Sequence, residues 1–120
     1  MWIENLQVIA IYVTDLDVAL DFYVGQLGME RLGDMQPGVL LKAGDQTIYL
    51  EGGRKLPFEP ALERAGCAPC FGTASVRATF EHFVALGIAV VQPYQEFSDE
   101  FSMFRIADPA GNVLEFAGRP

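Results

Sequence analysis

The chain has 120 residues, of which 51% are hydrophobic and 20% charged, enough for one ordered domain with a substantial core. Eight basic residues against sixteen acidic ones give a formal charge of −8, a field that repels phosphate backbones and anionic membrane and so excludes nucleic acid and membrane as expected partners. No apolar run is long enough to span a bilayer, and Met1 to Asn5 lacks the basic start and apolar centre of a signal peptide, so a cytoplasmic protein is expected.

In chain order, Leu6 to Val13 (LQVIAIYV) is rich in β-branched and aromatic residues and predicts a buried strand. Thr14-Asp15 offers an N-cap. Leu16, Ala19, Leu20, Tyr23 and Leu27 then recur at helical spacing, and Gly28 closes the helix. Strands follow at Met29 to Gly33, Gly38 to Ala43 and, across the turn Gly44-Asp45, Gln46 to Glu51. The stretch 52–70 is rich in proline and glycine and predicts a linker, with one helical turn around Glu59 to Ala65. The pattern then returns: a strand from Phe71 to Val76, a helix from Thr79 to Leu86 closed by Gly87, a strand from Ile88 to Gln92, an acidic loop at Glu96 to Glu100, and a hairpin from Phe104 to Phe116.

Two copies of one β-α-β-β-β unit explain this order. Leu27-Gly28-Met29 matches Leu86-Gly87-Ile88, and Ile48-Tyr49-Leu50 matches Leu114-Glu115-Phe116. The expected fold is therefore α+β: a single domain, 1–120, made of two βαβββ modules (about 1–51 and 71–120). Each sheet packs one face on a helix, and the mixed sheets curl around a concave cleft suited to a small molecule.

The hairpin carries the most chemistry. Asp108-Pro109-Ala110-Gly111-Asn112 supplies its turn. Beyond it, Leu114 and Phe116 share one face, and Glu115 points with Val113 to the other. A carboxylate fixed on a sheet face can bind a metal, take a proton or pair with a cation. Arg105 lies on the adjacent strand and the same face, so an Arg105–Glu115 ion pair is the simplest structural account. The functional alternative has Arg105 grip an anionic group while Glu115 accepts a hydrogen bond or acts as base. Cys67 and Cys70 form Cys-Ala-Pro-Cys, a spacing found in redox pairs and in half of a zinc site. With no second cysteine pair and a strand rather than a helix following, both are expected to be free thiols in the linker.

Two segments, Val8 to Leu16 with Phe22-Tyr23 and Leu27-Gly28-Met29, and Phe104 to Phe116, resemble the vicinal oxygen chelate superfamily. Its members include glyoxalase I, extradiol dioxygenases and the bleomycin-resistance proteins. The resemblance implies the paired-module fold, a homodimer, and, in metal-using members, ligands at the start of each module's first strand and the middle of its last. Those positions carry Val8, Tyr49, Phe71 and Glu115 here, of which only Glu115 is a competent ligand for a hard metal. Gln7 and Glu51 are candidates to join Glu115, and the single histidine, His82, falls on a helix away from these positions.

Alternation places Val8, Ala10, Tyr12, Thr47, Tyr49 and Glu51 on the cavity face of the first module. It places Phe71, Thr73, Ser75, Met103, Arg105, Ala107, Val113, Glu115 and Ala117 on that of the second. Phe97 and Phe101 flank the acidic loop as a lid or a dimer contact. Closest in character are the metal-free bleomycin-resistance-like members. The expected protein binds an organic ligand, aromatic or cationic in the manner of an antibiotic, with no cofactor, through Tyr12, Tyr49, Glu51, Phe71, Phe101, Met103, Arg105 and Glu115. Two alternatives use Glu115 for catalysis, one as ligand to a divalent metal in a glyoxalase- or dioxygenase-type lyase or oxidoreductase, the other as base in a metal-free isomerase or lyase.

Overall fold

Two four-stranded mixed sheets and two helical segments make up the regular structure of a computed structural model that describes residues 2–55 and 66–120. The chain divides into two units, Met1–Leu56 and Pro57–Pro120. Unit one runs β1 (Ile9–Tyr12), α1 (Leu16–Leu20) continued by a π-helical run (Asp21–Gln26), β2 (Glu30–Met35), β3 (Gly38–Ala43) and β4 (Gln46–Glu51), in sheet order β1-β4-β3-β2. Unit two runs β5 (Cys70–Phe71), α2 (Val76–Ala85), β6 (Val90–Glu96), β7 (Ser102–Ala107) and β8 (Val113–Gly118), in sheet order β5-β8-β7-β6. In each unit the first strand pairs parallel with the last and the other pairings are antiparallel, so the expected α+β repeat is present. Among the described residues no helix is long and apolar enough to cross a membrane. The helical turn expected at Glu59 to Ala65 lies outside the described residues.

Local chemistry sets the helix ends. Asp15 Oδ1 accepts from the Val18 N–H at 3.1 Å, and Ser75 Oγ accepts from the Ala78 N–H at 3.2 Å, each satisfying a donor that the first helical turn leaves open. At the far end of α2, Gly87 (φ +76°) donates to the Val84 carbonyl and Ile88 to the Phe83 carbonyl, a Schellman closure that needs the left-handed residue glycine supplies. The π-helical run closes differently, with the Leu27 N–H reaching back five residues to the Phe22 carbonyl at 2.8 Å.

Several expected bounds move. β1 begins at Ile9 rather than Leu6, where its pairing with β4 starts (Ile9 opposite Ile48). Trp2, Ile3 and Leu6 are exposed instead. β5 stops at Phe71 rather than Val76. The Val76 N–H donates to the Arg119 carbonyl at 3.0 Å, and Ser75 starts α2 three residues earlier than expected. β6 runs from Val90 to Glu96 rather than from Ile88 to Gln92, with bulges on both sides of Gln92.

One face of each sheet forms a core. In unit one Ile11, Val39, Leu41, Ile48 and Leu50 are buried, as are Ala19, Phe22 and Tyr23 of the helical segment. In unit two Phe83 of α2 meets Phe104 and Phe116 edge-on, with ring centres 6.0 and 5.2 Å away, and those two rings stack on each other at 5.1 Å. Such contacts add about 0.5–1.5 kcal/mol each beyond the area buried. The β7–β8 turn is fastened by the buried Asp108 carboxylate, which accepts from the N–H groups of Ala110 and Asn112 and from Asn112 Nδ2 at 2.8–2.9 Å.

Gly38 marks the tightest approach near the second face of the first sheet. A Cβ there would lie 2.3 Å from the Leu50 carbonyl oxygen and 2.7 Å from Cε1 of the Tyr49 ring. Gly38→Ala is therefore expected to lower stability by about 1–3 kcal/mol in chemical denaturation and to shift the Tyr49 ring resonances, whereas a neutral result would place Tyr49 elsewhere.

Candidate functional site

The second face of unit two carries a polar row that crosses all four strands. Arg105 of β7 is paired in register with Gln92 of β6 on one side and Glu115 of β8 on the other, and Glu115 is paired with Cys70 of β5. Residues opposite each other in a sheet share a face, so the four side chains form one ladder. Arg105 Nε donates to Glu115 Oε2 at 2.8 Å, Arg105 Nη1 donates to Gln92 Oε1, and Cys70 stands beside Glu115 on the neighbouring strand. The Arg105 and Glu115 side chains retain 17% and 24% of their exposure, while Met103, Ala107 and Val113 on the same face are buried. The ion pair expected from the sequence is therefore present, in a half-buried setting where it is screened less than at an open surface.

Phe71 departs from expectation. It is in register with Phe116, its ring centre 5.3 Å from that ring, so it belongs to the helix-facing side and not to the Glu115 face. The strand register is one residue away from that expected, and one residue in a strand exchanges the faces. Cys70 takes the place beside Glu115, so it is a strand residue rather than a linker thiol. Burial of the thiol, then the hydrogen bond and the charge of Glu115, push its pKa up, with Arg105 pulling the other way.

Unit one holds a counterpart built around Glu51. Tyr49 Oη donates to Glu51 Oε1 at 3.0 Å, and Arg54 donates to Glu51 Oε2 from Nε at 3.1 Å and Nη2 at 2.8 Å. The Arg54 guanidinium also sits 4.3 Å from the centre of the Tyr12 ring. Arg54 is held there by backbone: its N–H donates to the Val13 carbonyl, that of Gly53 to Thr14, and that of Val13 to Glu51. Residues 52–54 therefore extend the pairing with the β1 segment rather than starting a linker. Burial and the hydrogen bond to Glu51 raise the Tyr49 phenol above its ordinary pKa.

The other sequence candidates are dispersed. Val8 and Gln7 precede β1 and are exposed, His82 lies on α2, and Ser75 is spent on its helix cap. Of the acidic loop, Glu96 pairs with Arg77 and accepts from Tyr94 Oη at 2.8 Å, and Glu100 lies 3.7 Å from Arg119, so much of its charge is answered locally. Phe97 and Phe101 remain 55% and 44% exposed, ring centres 5.7 Å apart, over a turn in which Ser98 Oγ accepts from the Glu100 and Phe101 N–H groups. Arg54, Gln92 and Cys70 were not among the candidates. Arg54 was legible as a cation three residues after Glu51. Gln92 was hidden by the β6 bulges and Cys70 by the register.

As a metal centre the donor set does not fit. Among the described residues no three His, Cys, Asp or Glu side chains gather as ligands, and the Glu115 carboxylate faces a guanidinium, itself a cation. The row has a consequence for thiol chemistry. Both cysteines are exposed, but with its thiol pKa raised Cys70 is expected to react with iodoacetamide at pH 8 several-fold more slowly than Cys67. Glu115→Gln removes the charge that raises the Cys70 pKa and leaves Arg105 to lower it, so Cys70 alkylation should accelerate, as read by peptide mass spectrometry. An unchanged rate would separate the thiol from Glu115.

The family model described as the glyoxalase/bleomycin resistance protein/dioxygenase superfamily matches residues 5–116. Among solved structures the chain is similar to a lactoylglutathione lyase from Agrobacterium tumefaciens, with 27% identity, TM-score 0.70, and 98% of this chain and 95% of that one covered. A glyoxalase family protein from Enterococcus faecalis shares 23% identity at TM-score 0.76 over 98% and 99% of the two chains. A virulence protein from Salmonella typhimurium shares 24% identity at TM-score 0.72 over 98% of both. No curated protein matches. With the family model spanning nearly its whole length and its two βαβββ units in place, the chain belongs to the glyoxalase/bleomycin resistance protein/dioxygenase superfamily.

Proposed function

We propose that the chain is a small-molecule binding protein of the bleomycin-resistance type whose site works without a metal. The observation that carries this reading is the Arg105–Glu115 pair. The one hard carboxylate at a position where metal-using relatives are expected to place a ligand is engaged by a guanidinium at 2.8 Å. A divalent ion arriving there would have to displace Arg105 and would find a thiol and an amide rather than imidazole or carboxylate beside it. In unit one Glu51 is likewise tied to Arg54 and Tyr49. What remains on the face of unit two is a mixture of apolar side chains and a few oriented polar groups, suited to holding an organic ligand. A homodimer belongs to the same reading, supported by the exposed apolar run at Trp2, Ile3 and Leu6. The rival, a metal-dependent lyase, draws on the likeness to lactoylglutathione lyase and requires Glu115 to be released from Arg105.

Equilibrium dialysis against Mg, Mn, Fe, Ni and Zn separates the two. The expected result is no stoichiometric uptake that depends on Glu115. Uptake that Glu115→Gln abolishes would install the lyase reading. Arg105→Ala leaves the Glu115 carboxylate without its cation and is expected to lower stability by about 1–3 kcal/mol in urea unfolding, a value discounted for the partial exposure of the pair. A fully neutral change would mean that the pair contributes nothing to the fold.

A further inference from the structure

The two arginines that hold the second-face carboxylates are placed differently. Arg105 stands within β7, between β6 and β8, and its side chain retains 17% of its exposure. Arg54 comes from the segment that follows β4, and its side chain is 50% exposed. The first is built into the sheet. The second is laid onto its sheet from outside, with its backbone tied down by the bonds of Gly53 and Arg54 to the Thr14 and Val13 carbonyls.

The surface under Arg54 combines three ways of recognising its head group. Tyr12 and Glu51 are register partners on the parallel strands β1 and β4, so ring and carboxylate share a face. The guanidinium carbon sits 4.3 Å from the centre of the Tyr12 ring, which is itself 41% exposed. Nε and Nη2 both donate to Glu51 Oε2, at 3.1 and 2.8 Å, on a side chain only 17% exposed. The other oxygen, Oε1, is held by the Tyr49 hydroxyl at 3.0 Å. Gly38 makes room for this third contact, since a Cβ there would lie 2.7 Å from the Tyr49 ring. A surface ion pair needs only the carboxylate. An aromatic face beside a carboxylate whose orientation is fixed by a phenol is a receptor for a planar cation.

We propose that Tyr12, Tyr49 and Glu51 form a seat for the planar cation of a small organic ligand, a guanidinium or amidinium, which Arg54 occupies until such a ligand displaces it. Displacement asks only that the exposed Arg54 side chain rotate into water, with the backbone bonds of residues 53 and 54 left in place. The Glu51 carboxylate stays paired throughout, because the ligand takes over the donors that Arg54 withdraws. A chain carrying −8 also attracts such a ligand. An ammonium fits less well, since its donors are tetrahedral and it cannot lie flat on the ring while bonding Oε2. This seat lies in unit one and stands apart from the binding reading above, which rests on the face of unit two.

The test titrates benzamidinium, benzylammonium and neutral benzamide into the full chain and follows the ring resonances of Tyr12 and Tyr49 by NMR. Arg54 competes as a tethered cation, so Arg54→Ala is expected to bind benzamidinium about tenfold more tightly than the unaltered chain. In that variant benzylammonium should bind several-fold more weakly than benzamidinium, and benzamide should not bind. Adding Glu51→Gln to Arg54→Ala should abolish the preference for the charged probes. Arg54→Gln repeats the comparison should the alanine variant fold poorly. Equal affinity with and without Arg54, benzylammonium or benzamide matching benzamidinium, a charge preference that survives Glu51→Gln, or no binding by any probe overturns the inference. The reading of unit two survives each of these outcomes, because its own test, metal uptake at Glu115, does not involve Arg54.

Discussion

The ion pair between Arg105 and Glu115 is the interaction on which the candidate site depends. It couples the two strands of the closing hairpin at the centre of a face whose neighbours are buried, and it draws in a residue from each outer strand, Gln92 from β6 and Cys70 from β5. Removing one member would leave a partly desolvated charge without its partner, which costs more than the pair itself contributes. The row is thus both a fastening for the sheet and the source of its chemistry. The Glu115 carboxylate is paired with a guanidinium on the neighbouring strand.

The two units solve the same problem with different residues. Each has a fourth strand with apolar side chains on the helix face, Ile48 and Leu50 in one and Leu114 and Phe116 in the other, and a polar side chain between them on the second face. Each second face also carries a carboxylate held by an arginine. In unit two the arginine comes from the neighbouring strand, and in unit one from the same chain three residues further on, locked by backbone pairing to Val13 and Thr14. Repetition of the backbone pattern with divergence on the second face is what a duplicated scaffold permits. The helix face is constrained by packing, and the other face is free to change its chemistry.

Much of this was legible from local sequence. The period-two pattern of Gln46 to Glu51 and Val113 to Phe116 assigned faces correctly, Asp15 and Gly87 marked helix ends, and Arg105 and Glu115 followed from parity within one hairpin. The errors fall where an element's extent is decided by something distant. β1 starts only where its pairing with β4 does, at Ile9 opposite Ile48, and β5 gives way after Phe71 to the segment that caps α2 at Ser75. Gln92 was hidden because bulges in β6 break the parity that a strand otherwise guarantees.

The sequence by itself determined the duplicated β-α-β-β-β order, the core faces of β4 and β8 and the hairpin that brings Arg105 to Glu115, because these depend on periodicity and turn chemistry within short stretches. Only the tertiary structure decided that Cys70 and not Phe71 stands beside Glu115, and that Arg54 closes on Glu51 and Tyr12. The physical reason is the same in both cases. The register of a parallel pair is set by long-range packing and by where the partner strand begins and ends, and a shift of one residue, invisible in composition, exchanges a ring in the core for a thiol in the site.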